Sequence, residues 1–148
     1  MPQSLSAVYI HLIWSTKDRA PLILDPITPD LYSYIGGIAR NEKCVSLATG
    51  GMPDHVHLLV SLSREITIAE LVRTLKPASS KWMHDHGHHD FQWQAGYGAF
   101  SVSRSNLDEV RSYIARQKEH HREMSFRDEY LAFLKRHDIE FDERYLWD

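Results

Sequence analysis

Pro53-Asp54-His55-Val56-His57-Leu58-Leu59-Val60 is the most informative segment of this chain. Side chains alternate between the two faces of a β-strand, so residues two apart point the same way. The apolar residues of this stretch would therefore face a core, while His55 and His57 stand side by side on the opposite face. Two neutral imidazoles on one rigid strand can bind a single divalent metal.

This stretch forms the second half of a predicted hairpin. Residues 43–49 are a candidate strand, and residues 50–53 supply the turn that returns the chain into a strand over residues 54–62. Hydrophobic periodicity and capping residues divide the rest of the chain into elements. They predict strands over 5–14 and 99–103, and helices over 28–41, 67–80, 107–122 and 125–136.

The predicted order is β-α-β-β-α-β followed by two helices, which places the chain in the α+β class. That order is typical of a ferredoxin-like or RNA-recognition-like (RRM-like) sheet with helices on one face. In such a sheet the first and third strands are central. We therefore expect His55 and His57 in the middle of the open face, and a tyrosine-bearing helix over residues 107–122 in the C-terminal part of the chain.

The composition describes one domain in a reducing compartment. With 148 residues, the chain can bury a core as a single domain over residues 1–148. Cys44 is the only cysteine, which predicts a cytoplasmic setting. No apolar stretch approaches the roughly 20 residues that span a bilayer, and no export signal is evident, so we expect no membrane partner. The net charge of −3 does not exclude a nucleic-acid partner, because acidic residues concentrate in 137–148.

The predicted helix over residues 107–122 carries the residues that would complete a reactive site. Tyr113 and Gln117 are four residues apart, so their side chains lie on one face of the helix. If the helix lies near the open face of the sheet, the Gln117 carbonyl oxygen can be the third metal ligand beside His55 and His57. A neutral amide leaves the full metal charge available to polarise a phosphodiester.

Tyr113 would be the nucleophile of that site. A phenol has an ordinary pKa of about 10 and needs a nearby cation to stabilise its phenolate. Its attack on phosphorus would give a covalent phosphotyrosine and release a sugar hydroxyl. Because the phosphotyrosine keeps the ester energy, another hydroxyl can later reseal the strand, so this chemistry is strand transfer rather than hydrolysis.

The same residues carry a family resemblance that spans nearly the whole chain. His55-Val56-His57, followed by Tyr113-Ile114-Ala115-Arg116-Gln117, resembles the single-tyrosine HUH transposases of bacterial insertion sequences, including their repeat-associated relatives. Further segments resemble that family in the expected order. They are His11–Lys17, Trp93–Ser103, Gln117–His121 and Asp142–Trp147.

The resemblance implies a substrate, a cofactor and an assembly. Members of that family bind single-stranded DNA, often at a hairpin near each end of a mobile element, and cut it with one tyrosine. They leave a 5′-phosphotyrosine and a free 3′-hydroxyl, and they use Mg²⁺ or Mn²⁺. They act as homodimers in which the tyrosine helix of one subunit can complete the metal site of the other in trans. For this chain the resemblance implies Tyr113 as the catalytic residue and His55, His57 and Gln117 as metal ligands.

Cationic and aromatic side chains are candidates for contacts with the DNA strand. Lysine and arginine can bind phosphates, and tryptophan can stack on unpaired bases. The ordinary alternatives are a solvated surface charge for each cation and a core position for each tryptophan. The DNA-binding candidates are Trp14, Lys17, Arg19, Lys76, Lys81, Arg104, Arg116 and Lys118.

The sequence does not assign roles to the other histidines or to a second tyrosine. The tract His84–His89 looks like a metal site, but its glycine and alternating polar residues favour a mobile, solvated loop. His120 and His121 can complement the end of the tyrosine helix or touch the site. Tyr9 is a rival nucleophile, although it lies in a strand with no ligand spaced to it.

Two other functions compete with a strand-transfer enzyme. A histidine-triad nucleotide hydrolase also alternates histidine with apolar residues, but its signature needs a third histidine where this chain has Leu59. A non-catalytic nucleic-acid-binding module would need aromatic residues on the sheet where His55 and His57 lie. Neither alternative forms a covalent bond between protein and DNA.

Overall fold

The computed structural model describes residues 2–148 and contains one four-stranded sheet and five α-helices in that range. The strands are β1 (Tyr9–Ser15), β2 (Val45–Met52), β3 (His55–Ser61) and β4 (Gly98–Val102). The helices are α1 (Thr28–Asn41), α2 (Ile68–Asp85), α3 (Leu107–Ala115), α4 (Gln117–His120) and α5 (Phe126–Arg136). None of the helices in residues 2–148 is both long enough and apolar enough to cross a membrane.

The sheet has the strand order β2-β3-β1-β4, and every neighbouring pair is antiparallel. This order puts the first and third strands in the centre, as the predicted β-α-β-β-α-β arrangement requires. The α+β prediction is therefore confirmed. In the central pair Leu12 is opposite Leu58 and Ile13 is opposite His57, so the histidine strand is paired along its whole length with β1.

One face of the sheet forms the main core against α1 and α2. Val56, Leu58 and Val60 of β3 point to this face, as their alternation predicts, and are fully buried. They share the core with buried residues of the neighbouring strand and of both helices, among them Leu12, Leu31, Ile35, Leu71 and Leu75. Burying an aliphatic side chain of this size stabilises a fold by roughly 1.5–3 kcal/mol, so this face supplies much of the stability.

The opposite face of the sheet is not open, which corrects the expectation from the sequence. Ile114 of α3 shares an apolar cluster with Leu59, and Tyr130 of α5 shares another with Ile13. His55 and His57 are consequently fully buried beneath the C-terminal helices. The strand pattern gives the face to which each histidine points, but it carries no information about which later helix covers that face.

The predicted helix over residues 107–122 is interrupted at Arg116. The backbone there has φ −104° and ψ 28°, outside the helical range, so α3 ends at Ala115 and α4 begins at Gln117. Gln117 is buried at the start of α4, whereas Lys118 and Glu119 are exposed. The break therefore separates the helix that carries the tyrosine from the turn that carries the candidate amide ligand.

The loop before β4 anchors the end of the chain beside α5. Gln94 Nε2 donates to the backbone carbonyls of Leu146 (3.3 Å) and Asp148 (3.2 Å). The Trp147 ring packs with Tyr130 of α5 at a centroid distance of 5.8 Å. These contacts tie α5 to the rest of the domain.

Two of the DNA-binding candidates make contacts within the fold. Trp14 is fully buried in the core, and its ring packs edge-on against Trp93 at 5.6 Å. The Lys76 ammonium donates to the backbone carbonyls of Gln94 (2.8 Å) and Ala95 (3.2 Å), and burial lowers its pKa to about 8. Trp14 thus has the core position that is the ordinary alternative for a tryptophan, whereas the Lys76 ammonium is bound inside the fold and is not a solvated surface charge.

The tract His84–His89 is only partly a loop. α2 continues through Asp85, so His84 is helical, and its Nε2 donates to the Phe91 carbonyl at 2.7 Å. The His86 ring stacks on Trp82 with a centroid distance of 3.9 Å. The prediction of a solvated loop is therefore wrong for the first two residues of the tract, because the helix is longer than its apolar periodicity indicates.

Candidate active site

The predicted metal ligands meet in a buried polar cluster between the sheet and the C-terminal helices. The His55 and His57 rings project from β3 with a centroid distance of 5.1 Å. Gln117 Oε1 lies 3.1 Å from His55 Nε2. All three side chains are essentially buried, with at most 2% of Gln117 exposed. The fold thus brings together three residues that are far apart in the sequence.

Glu129 lies at the centre of this cluster, although the sequence analysis did not select it. Its Oε1 atom is 3.0 Å from His57 Nε2 and 3.3 Å from His55 Nε2. Its position follows from the start of α5, where the Ser125 hydroxyl accepts a hydrogen bond from the Asp128 N–H at 3.2 Å. This cap fixes the first turn of α5 and directs Glu129 toward the sheet.

His121 is the second residue that the sequence left unassigned. Its Nε2 atom lies 2.9 Å from Gln117 Oε1 and 3.3 Å from Glu129 Oε1. The ligand atoms of His55, His57, His121 and Glu129 all lie within 4.8 Å of one another. Three imidazoles, a carboxylate and an amide oxygen therefore converge on one small volume.

Each of the three imidazoles is oriented by a partner on its outer ring nitrogen, Nδ1. The pairs are His55 with Asp54 Oδ1 (2.7 Å), His57 with His11 Nε2 (2.8 Å) and His121 with the Met124 carbonyl oxygen (2.6 Å). In every case Nε2 faces the centre of the cluster. Outer hydrogen bonds of this kind fix the orientation of metal-binding histidines, so the chemistry of the donor set fits a bound divalent cation.

Burial and hydrogen bonding distribute charge unevenly over the cluster. Burial lowers the pKa of His57 to about 4, against an opposing effect of Glu129. Burial also acts to lower the pKa of His55, but hydrogen bonds with Asp54 and Glu129 raise it to about 8. Burial favours a higher pKa for the Glu129 carboxyl, yet hydrogen bonds from the histidines hold that pKa well below its usual range. At neutral pH a charged His55 therefore pairs with the Glu129 carboxylate, and His57 is neutral.

The Tyr113 hydroxyl reaches the same carboxylate from the other side. It donates to Glu129 Oε2 and lies 3.1 Å from His120 Nε2. The Tyr113 ring is 5.8 Å from the His57 ring, centroid to centroid. Burial, followed by the negative charge of Glu129, raises the pKa of Tyr113 above its ordinary value. Tyr9, the rival nucleophile, lies opposite Ser61 at the far end of β3 from His55.

His11 is a further residue of the site that sequence reasoning missed. It is 2% exposed and, besides contacting His57, packs edge-on against the Phe133 ring at 5.2 Å. The alternation of side chains along β1 indicates its orientation, because His11 and Ile13 point to the same face. That face becomes the histidine face only once β1 and β3 are known to be neighbours.

A cavity of about 440 Å³ opens beside Tyr113. Phe100, Phe133, Arg116 and Arg136 are among the residues that line it. Its volume is within the range of about 300–1,000 Å³ that is usual for small-molecule sites. A molecule in this cavity can approach the phenol.

The remaining cationic candidates are at least partly exposed. Lys17, Lys81, Arg104, Arg116 and Lys118 are exposed, and Arg19 is partly exposed. Lys81 forms an ion pair with Asp85 at 2.7 Å, and the Arg19 guanidinium lies 4.4 Å from the centre of the Trp147 ring. Arg116 also lines the cavity beside Tyr113.

Comparison with known proteins gives a family and a curated relative. The family described as "Transposase IS200 like" matches residues 4–117, a segment that contains the histidine pair, Tyr113 and Gln117 but not Glu129. The ISDra2 transposase TnpA of Deinococcus radiodurans is 28% identical over 114 residues, which cover 72% of this chain and 81% of that relative.

Solved structures share the fold. A chain from Deinococcus radiodurans R1 that is described as a transposase is 28% identical, covers 79% of this chain and 98% of its own length, and has a TM-score of 0.64. A REP-associated tyrosine transposase bound to a REP hairpin has a TM-score of 0.61 over 82% of this chain and 72% of that one. At 15% identity, the second likeness concerns the fold alone.

Proposed function

This chain belongs to the IS200-like transposase family, and we propose that it uses Tyr113 and a divalent cation to cut and rejoin single-stranded DNA. Membership of the family makes the protein an enzyme of DNA transposition. The histidine-triad hydrolase and the non-catalytic binding module, which competed on sequence grounds, are therefore set aside. Family membership does not assign the roles of individual residues, the cation or the DNA strand, and these are the subject of our proposal.

The observation that carries this proposal is that the Tyr113 hydroxyl and the histidine Nε2 atoms meet at one carboxylate. Glu129 contacts Tyr113 through Oε2 and contacts His55 and His57 through Oε1. A nucleophile and a set of metal-binding donors thus lie on two sides of a single side chain.

His55, His57 and Gln117 are the proposed ligands, with His121 and Glu129 as further donors. We propose Mg²⁺ or Mn²⁺, because carboxylate and amide oxygens beside imidazole nitrogens suit these cations. When bound, such a cation would polarise a phosphodiester oxygen and stabilise the charge that develops during cleavage.

The proposed reaction conserves the number of phosphodiester bonds. The Tyr113 oxygen bonds to phosphorus to give a 5′-phosphotyrosine, while the bond to the 3′ oxygen breaks and that oxygen leaves as a 3′-hydroxyl. A later attack by a 3′-hydroxyl releases Tyr113 and joins the strands. Rejoining therefore needs no external source of energy.

The cavity beside Tyr113 is the proposed path of the DNA strand. Phe133, which is only partly buried, offers aromatic surface on which a base can stack, and Arg116 and Arg136 offer positive charge to the backbone. An unpaired strand can present a single base to such a cavity, whereas a duplex keeps its bases paired. By analogy with the REP-associated relative, whose structure contains a hairpin, we propose a hairpin at the ends of a mobile element as the recognised DNA.

The assembly that we propose is a homodimer acting in the cytoplasm. In such a dimer the tyrosine helix of each subunit would act either on the site of its own chain, where Tyr113 lies beside His57, or on the metal site of the other subunit in trans. In either arrangement, pairing of the subunits would hold two DNA ends together.

The test is covalent transfer of a labelled strand to the protein. Single-stranded oligonucleotides that tile the DNA flanking the gene carry a label at either the 3′ or the 5′ end. They are incubated with the protein and Mn²⁺ and resolved on a denaturing protein gel. The proposal expects attachment of the 3′-end label, because a 5′-phosphotyrosine retains the fragment downstream of the cut.

Tyrosine variants make this test specific. Attachment should disappear in Tyr113→Phe and persist in Tyr145→Phe, whose phenol is exposed. Attachment of the 5′-end label, release of free nucleotides, or a full adduct in Tyr113→Phe would contradict the proposal.

A further inference from the structure

We propose that Glu109 recognises a guanine, the first base of the DNA fragment that stays attached to Tyr113. This inference rests on the proposed function, because it takes Tyr113 as the nucleophile and the cavity beside it as the path of the strand. Asn106 assists Glu109 at the edge of the base, and Phe133 supplies the surface on which the base stacks. The inference therefore assigns a sequence preference to the wall of this cavity.

The α3 side of the cavity is a row of side chains that ends at the nucleophile. It consists of Asn106, Glu109, Val110 and Tyr113. Their spacing of three, four and seven positions places them on one side of the helix. Glu109 precedes Tyr113 by one helical turn, a rise of about 6 Å along the axis. A nucleotide whose phosphate is at Tyr113 can therefore place its base beside Glu109.

The side chains of Glu109 and Asn106 are available to a molecule in the cavity. Both residues are exposed at its rim. The neighbouring Asp108 forms an ion pair with Arg111 at 3.7 Å, whereas the Glu109 carboxylate and the Asn106 amide have no ion-pair or hydrogen-bond partner within residues 2–148. Their hydrogen-bonding capacity is not used by the fold.

A carboxylate at this position needs an explanation in a cavity that binds DNA phosphates. Arg116 and Arg136 line the same cavity and attract the strand, whereas Glu109 repels it. An acidic residue in the first turn of α3 interacts favourably with the helix dipole, but Asp108 does this without lining the cavity. A base whose edge donates hydrogen bonds explains why Glu109 faces the cavity.

Guanine is the base whose edge fits a carboxylate. Its Watson–Crick edge presents the N1–H and N2–H donors side by side, so the two oxygens of one carboxylate can accept both hydrogen bonds. Adenine, cytosine and thymine each place an acceptor beside the donor of that edge, and this acceptor repels the negative charge. The O6 acceptor of guanine can take a hydrogen bond from the Asn106 amide. Glu109 and Asn106 together therefore complement the whole edge of guanine.

Phe133 of α5 supplies the stacking surface from a second element. Its partly buried ring lines the cavity and lies 5.9 Å from the Tyr113 ring, centroid to centroid. The rings of His11 and Phe100 pack against it, each at 5.2 Å, and so fix its orientation. Stacking holds a base by its face and leaves its edge free for hydrogen bonds.

The downstream fragment supplies the recognised base because displacement at phosphorus is in line. The 3′ oxygen that leaves lies on the side of phosphorus opposite the Tyr113 oxygen. The upstream nucleotide therefore departs away from the tyrosine helix, whereas the downstream nucleotide keeps its phosphate on Tyr113. The downstream base can thus stay beside Glu109 from cutting to rejoining.

The main experiment varies one base and one side chain together. The oligonucleotide that forms the Tyr113 adduct is made with each of the four bases, or with inosine, at the first position after the cut. At subsaturating DNA, guanine should react at least tenfold faster than adenine, cytosine or thymine, because a bidentate contact to a base typically discriminates by about this factor. Inosine, which lacks the N2 amino group, should react at least threefold more slowly than guanine.

Glu109→Gln should remove this preference, because glutamine offers one acceptor oxygen in place of two. Its rate with guanine should fall at least tenfold, and guanine and inosine should then react within twofold of each other. The matched control is Asp108→Asn, which makes the same charge change at a neighbouring exposed residue and should keep the preference for guanine. Thermal denaturation verifies that both variants are folded.

Two further measurements separate base recognition from a general effect on activity. 7-Deazaguanine keeps the Watson–Crick edge and should react within twofold of guanine in the wild type. In a Tyr113→Phe background, which cannot cut, fluorescence polarisation should show tighter binding of the guanine strand than of the inosine strand. The additional Glu109→Gln change should remove that difference.

Several outcomes would overturn the inference. They are equal rates for the four bases, a preferred base other than guanine, a preference for guanine that Glu109→Gln leaves unchanged, or an effect of Glu109 on the base before the cut instead. Each of these outcomes leaves the Tyr113 adduct in place and so spares the proposed function. Absence of any adduct in the wild type would instead refute the proposed function, and this inference with it.

Discussion

Gly50 of β2 lies so close beneath Ile114 of α3 that a β-carbon on the glycine would stand 2.4 Å from the Ile114 carbonyl oxygen. Real β-carbons essentially never make contacts this short, so only glycine lets α3 rest on the sheet at this point. Ile114 directly follows Tyr113 in the chain. Because residue 50 is a glycine, α3 can lie close to the sheet, and this sets the distance between the tyrosine and the histidines.

Gly50→Ala should lower both stability and activity. Overpacking of this kind destabilises a fold by about 1–3 kcal/mol. A displacement of α3 by a fraction of an ångström should also slow formation of the Tyr113 adduct at least tenfold, because attack requires precise placement of the oxygen. Urea denaturation and the adduct assay measure the two effects.

Gly37→Ala is the matched control for that variant. A β-carbon at Gly37 of α1 would be 3.7 Å from the Arg40 guanidinium, an ordinary contact. Alanine is the better helix former by about 0.5–1 kcal/mol, so this variant should be at least as stable as the wild type. Equal behaviour of the two variants would refute the role of Gly50.

Mn²⁺ should stabilise the folded protein in the absence of DNA. A ligand that binds only the native state at about 100 times its Kd adds about 2.7 kcal/mol to the free energy of unfolding. Thermal denaturation with Mn²⁺, and again after EDTA is added, measures this gain and its reversal. His57→Ala should abolish the gain, whereas His89→Ala, at an exposed histidine, should retain it.

His11→Phe should weaken metal binding, although His11 is not itself a proposed metal ligand. Phenylalanine keeps the ring that packs on Phe133 but loses the nitrogen that lies 2.8 Å from His57 Nδ1. Loss of such an orienting hydrogen bond typically lowers metal affinity about 10–100-fold. Calorimetric titration with Mn²⁺ gives the affinity, and His137→Phe, on the wall of the same cavity, is the control. An equal loss in both variants would show that the His11 contact has no specific role.

Without metal, the contribution of His55 to stability should fall as the pH rises from about 6.5 to 9. The pKa of His55 is raised from 6.5 to about 8 on folding, so the stabilisation from its charged form is present below pH 6.5 and is lost as the pH passes through 8. A shift of this size corresponds to roughly 2 kcal/mol. His57, whose pKa is lowered to about 4, acts only on the acid side of this window. Lys76, whose pKa is lowered to about 8, acts in the opposite direction above pH 8, so the His55 effect is measured as the difference between the wild type and a His55 variant.

Urea denaturation in EDTA at pH 6.5 and pH 9 measures this loss. The His55→Gln variant removes the titrating group and should show a flatter profile over the same interval. A wild-type protein that loses no more stability than His55→Gln between pH 6.5 and pH 9 would contradict the assigned direction.

The sequence predicts the parts of the site that local periodicity encodes. Alternation on β3 places His55 and His57 on one face, and a spacing of four residues pairs Tyr113 with Gln117. The break at Arg116 could not be predicted, because alanine, arginine and glutamine all favour helix.

Contacts between distant segments explain what the sequence left out. The Glu129 contact with His57 spans 72 residues, and the His11 contact with His57 spans 46. In the sequence Glu129 is recognisable only as an acidic residue in the first turn of a helix. Many helices have such a residue because it interacts favourably with the helix dipole. Its role becomes visible only when the C-terminal helix is seen to cover the face that the sequence left open.

Every position of β3 from His55 to Val60 is buried, with Val56, Leu58 and Val60 in the main core and His55, His57 and Leu59 beneath the C-terminal helices. A library that aims to redirect this enzyme to new cleavage sequences should therefore avoid that strand, where each change disturbs either folding or chemistry. The variable positions belong instead on the rim of the cavity, at the exposed residues Asn106, Glu109 and Arg136. Diversity there would reshape the entrance for the incoming bases while the interior stays intact.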